Sequence, residues 1–79
     1  MNELEYPLDK IIDVAIELKT YGSTAASTSE QIAAAFVLNE QKYLPESYPV
    51  MIEAWERLNK WQTHVRLIRD NYMHLINQG

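Results

Sequence analysis

The side chains best suited to chemistry in this chain are few and poorly spaced for it. His64 and His74 are ten residues apart, about 80° from one another around a helix, so one chain cannot bring both to a common ion. Asp70 and His74 are four apart and share a helix face, but two ligands without a third make no metal site. There is no cysteine, which removes thiolate nucleophiles, thiolate metal sites and disulfides together. No serine stands in a Gly-x-Ser-x-Gly turn. The two glycines, Gly22 and Gly79, cannot build a loop that cradles phosphate. The sequence therefore assigns no catalytic residue, cofactor site or metal ligand, and it reads as a non-enzyme that needs no cofactor.

Two partial motifs lack their other halves. In "EAWE", Glu53 and Glu56 resemble half of the magnesium motif of all-helical nucleotide pyrophosphohydrolases. The other half needs a Glu-x-x-Asp pair, and Leu67 stands where its glutamate would precede Asp70. Too few carboxylates remain to hold Mg²⁺ on a triphosphate. "TSEQIAAAFVLNEQKYL" resembles the opening of a helix-turn-helix, with Ile32 and Ala33 at its packing positions. Val37 replaces the turn glycine, and the following "NEQKYLPESYP" offers Lys42 alone as a base. An acidic segment cannot supply the phosphate contacts on which DNA affinity depends.

The net charge of −4 hides a split. Residues 1–56 carry ten acids and three bases, which gives −7. Residues 57–79 carry Arg57, Lys60, Arg66 and Arg69 against Asp70, which gives +3 and restores the total. Such asymmetry fits internal or self-complementary pairing, or a polarised interaction surface. Asp9, Asp13 and Glu17 are four apart and form an acidic ridge on the first helix. The expectation is that this ridge lies near the four basic residues, within one chain or across a dimer. Arg57, Lys60 and His64 line one edge of the last helix.

The elements behind these residues are all helical, and no alternating run suggests a strand. The first helix is expected over 8–21, opened by Pro7 and closed by Gly22. Leu8, Ile11, Ile12, Ala15 and Ile16 give its buried face, and Val14 and Leu18 widen that face beyond the usual stripe. The second is expected over 24–42, capped by Ser23, with a capping box at Ser27 and Glu30 as the later alternative. Glu40 falls on its apolar face, either fraying into water or meeting an arginine. Pro45 and Pro49 mark a connector, with Ser47 as a cap. The third helix is expected over 49–77. Along it Ala54, Leu58, Trp61, Val65, Ile68, Tyr72 and Leu75 step by threes and fours, a seam that Ile76 extends.

Length sharpens the last expectation. Helical residues 49–77 would rise about 45 Å, whereas a compact chain of this size is only about 30 Å across. Either the helix bends near Asn59 and Lys60 into a four-helix domain, or a second chain covers the overhang. Small cores are marginal without help, so the dimer is the preferred reading. The whole chain, 1–79, is read as one all-α domain: a small three-helix or four-helix bundle. With an acidic start and no apolar run of membrane length, it reads as soluble and cytoplasmic. The expected role is a non-catalytic interaction protein, self-associating through its C-terminal helix and binding an unidentified protein. The alternatives are a small nucleic-acid regulator, which the charge disfavours, and a helical ligand-binding or nucleotide-processing protein.

Overall fold

A computed structural model describes residues 4–77, and their regular structure is helical, without strands. Helix α1, Leu8–Tyr21, ends as its sequence requires. Gly22 adopts φ +79°, the left-handed conformation glycine reaches without steric cost, and donates its N–H to the Leu18 carbonyl at 2.8 Å. Ile11, Ile12, Val14, Ala15 and Leu18 are buried. Ile16, expected on that face, lies at its edge and is 38% exposed. The wide apolar surface packs against three later helices, α2 (Thr28–Leu38), α4 (Trp61–Asn71) and α5 (Met73–Ile76).

Helix α2 is shorter than expected at both ends. Ser23 does not cap it; Ser27 does. The Ser27 hydroxyl accepts the Glu30 N–H at 3.3 Å, and the Glu30 carboxylate accepts the Ser27 N–H at 3.1 Å. This reciprocal box satisfies two otherwise unpaired donors, which a lone Ser23 could not do. Thr24 is used in the connector instead, accepting the Ala26 N–H and donating to Glu17. The helix stops at Leu38 because Asn39 turns left-handed, with φ +58°. Asn39 N–H then reaches Phe36 O and Glu40 N–H reaches Ala35 O, both at 3.0 Å, the paired bonds of a Schellman ending. Glu40 is exposed beyond that end, so of its two readings the one that places the carboxylate in water holds and the meeting with an arginine does not. Inside α2, Ile32, Ala33, Ala34 and Val37 are wholly buried. Their small side chains let neighbours pack closely on several sides, and α2 contacts α1, α3 (Met51–Leu58) and α4.

The continuous helix expected over 49–77 is three helices: α3 (Met51–Leu58), α4 and α5. Ser47 caps none of them, since Val50 precedes α3 and gives no side-chain cap. The first break falls at the expected hinge. Asn59 takes φ +52°, ψ −115° and Lys60 φ −61°, ψ −25°, close to the central residues of a type II′ turn. Asparagine tolerates positive φ better than other residues with a Cβ. The second break, at Tyr72 (φ −125°, ψ 10°), has no glycine or proline to announce it. It turns α5 back so that Ile76 is buried and α5 packs on α1. Lys19 on α1 fastens this end through Asn77 Oδ1 at 2.9 Å. The overhang is thereby removed: the molecule measures 34 × 27 × 18 Å with a radius of gyration of 11.3 Å. No helix among the described residues is long and apolar enough to cross a membrane.

Candidate functional site

The end of α2, the middle of α3 and the C-terminal half of α4 leave a groove of about 430 Å³ between them. Its floor is apolar: Phe36 from α2, Trp55 from α3 and Val65 from α4. The Phe36 and Trp55 rings meet edge to face, centroids 5.0 Å apart at 62°, a geometry aromatic quadrupoles favour. Its lip is polar. The Arg66 guanidinium lies 5.7 Å from the Trp55 ring centroid, within the range of a cation–π contact. Arg69 donates from Nη1 to Val37 O at 2.9 Å and Phe36 O at 3.5 Å. These are carbonyls at the electronegative end of α2, where a cation is favoured. Asp70 and Asn39 complete the lip.

The expected interaction residues are distributed differently. Leu58, Val65, Ile68 and Ile76 are at most 4% exposed within the single chain, so the seam closes on this chain's own core. Trp61, Tyr72 and Leu75 are half-buried against the same core, and Trp61 packs edge to face on Tyr6 at 5.9 Å. The charged residues are engaged locally. Asp9 accepts the Lys10 N–H, and Glu17 the Thr24 hydroxyl. Arg57 lies over Tyr48 at 5.8 Å, and Lys60 is exposed. Among the described residues no acid of the α1 ridge comes within 4.0 Å of a basic side chain, and the Asp13 side chain has neither a hydrogen bond nor an ion pair. The structure therefore brings Arg66 and Arg69 together at the groove and leaves the acidic ridge apart from them.

Among the described residues the one buried charged group is Glu30, 9% exposed. Burial by itself would raise its pKa. The Ser27 N–H, the Tyr6 hydroxyl at 3.1 Å, the Ser27 hydroxyl and the charge of Lys10 outweigh burial and hold the carboxyl below its ordinary value. Tyr6 is raised in turn, first by that hydrogen bond to Glu30, then by burial and by the nearby carboxylate charges. This cluster ties the segment before α1 to the start of α2. His64 is half-buried and His74 exposed. No three His, Asp or Glu side chains among the described residues gather closely enough to hold a metal ion.

Spacing places Phe36 on the apolar face of the second helix with Ile32, Ala33 and Val37, but it does not single out Trp55. Trp55 sits one residue past Ala54, off the seam that Ala54 and Leu58 define, and that displacement was the available signal. Compared with known proteins, the chain matches no family model, no curated protein and no solved structure.

Proposed function

We propose that this chain is a small non-catalytic interaction protein whose working surface is the groove between α2, α3 and α4. The carrying observation is the pairing of an aromatic floor, Phe36 and Trp55, with an arginine lip, Arg66 and Arg69, on a chain of net charge −4. Recognition sites commonly combine buried aromatic anchors with arginine. An acidic segment carrying one bulky apolar side chain suits the two halves of this groove. Ile52, 67% exposed, lies one turn before Trp55 on α3 and extends the apolar surface beyond the floor.

Nucleic-acid binding is the runner-up and has less to build on. Asp70 stands beside Arg66 and Arg69 in the groove and the chain carries a net charge of −4, so a polyanionic phosphate backbone meets little net positive charge. The test is a matched pair of baits, the wild-type chain and Arg66→Glu, followed by reconstitution with each purified candidate. We expect a protein partner that binds the variant at least about tenfold more weakly, a difference of about 1.4 kcal/mol. Partners that bind both baits equally would contradict the groove reading.

A further inference from the structure

We propose that the occupant of this groove is a second copy of the chain. In this arrangement the outer face of α1 lies across α2, α3 and α4 of its neighbour, with Ile16 seated on Trp55 and Phe36. This rests on the groove reading above and names its ligand.

Two surfaces of the same molecule carry the inference. The groove has Arg66 and Arg69 against Asp70, one positive charge net, whereas α1 has Asp9, Asp13 and Glu17 against Lys10 and Lys19, one negative charge net. The outer strip of α1 presents Asp13, Ile16 and Glu17, all exposed, an apolar residue between two carboxylates. The Asp13 side chain has no hydrogen-bond or ion-pair partner among the described residues, and Ile16 keeps 38% of its surface in water despite its place in an apolar helix. The spacings also agree. Asp13 and Glu17 are separated by about 6 Å of helix rise, and Arg66 and Arg69 by about 4.5 Å. Arg69 uses Nη1 for the α2 carbonyls and, with five N–H donors on a guanidinium, keeps others for a carboxylate. Acids of one copy facing arginines of another would give Asp13 the cationic partner that it lacks among the described residues.

The contact joins two different patches, so two copies either exchange α1 faces about a twofold axis or add head to tail. One charge-swap experiment serves both arrangements. Wild type, Arg66→Glu and Asp13→Arg are each followed by sedimentation over about 10 μM to 1 mM, a range suited to a weak interface. Both substituted side chains are exposed, and circular dichroism verifies the helices. We expect the wild-type mass to rise with concentration and each variant alone to associate at least about tenfold more weakly. An equimolar mixture of the two variants should recover association, because every ridge–groove contact then pairs opposite charges. A wild type that stays monomeric, or variants that associate like wild type, would overturn the second copy as occupant. So would a mixture no better than its components. If the proposal fails in this way, the groove reading still stands or falls separately on whether partner capture depends on Arg66.

Discussion

At the residue scale the most informative side chain is Glu30. It closes the α2 box and receives the Tyr6 hydroxyl, so it joins two segments 24 residues apart. Its carboxyl is held below the ordinary range. A group lowered in this way contributes stability that is fully present above its unfolded pKa, about 4.3, and lost as pH falls through the lower folded value. We expect denaturant midpoints to fall with acid over that window, and Glu30→Gln to flatten part of the fall. The variant should be less stable by about 1 kcal/mol near pH 7, where the charged acceptor is lost. An acid limb unchanged by the substitution would remove Glu30 from this role. Ser27→Ala should cost about 0.5–2 kcal/mol at neutral pH, the usual range for a lost cap. The box itself was visible in the sequence as one of two possible starts. Its link to Tyr6 was not, because nothing local says which segment crosses a helix N-terminus.

Breaks matter more than helices at the element scale. The hinge at Asn59 was legible because a continuous helix was too long for the chain, and asparagine is a residue that accepts positive φ. Its ψ of −115° lies where glycine is preferred, so the turn carries local strain. Asn59→Gly should raise stability by about 1 kcal/mol, while Asn59→Val should lower it by at least as much, both read from denaturant midpoints. A glycine that destabilises would mean that the Asn59 side chain supports the turn. The break at Tyr72 was not legible. It comes from the burial of Ile76 and the return of α5 to α1, a tertiary demand with no local punctuation. Arg69 is a similar case: periodicity places it on α4, but only the fold shows that it meets the end of α2. Arg69→Met should cost about 1–3 kcal/mol by removing donors from the Phe36 and Val37 carbonyls, with faster hydrogen exchange in the last turn of α2.

On the scale of the whole molecule, the helical class and much of the core could be read from spacing. Ile11, Ile12, Ala15 and Leu18 are buried as expected, and Leu58, Val65 and Ile68, expected in a seam shared with a second chain, are buried within one. The apolar seam was also real, but it belongs to the interior of one chain. Ile68, wholly buried, is therefore a folding residue: Ile68→Glu should abolish the cooperative helical signal, since an unpaired buried carboxylate costs several kcal/mol. A folded Ile68→Glu chain of reduced mass would return the seam to the role of an interface.

What chain length and spacing could not reveal is that the molecule leaves an aromatic groove with an arginine lip on one surface and an acidic strip centred on Ile16 on another. Their meeting across two copies is best tested by a dilution series of amide and indole NMR spectra, from about 1 mM down to about 20 μM. We expect concentration-dependent shifts in two clusters, one at Phe36, the Trp55 indole and residues 65–70, the other at residues 13–17. Spectra that do not change on dilution, or shifts that avoid both clusters, would contradict it.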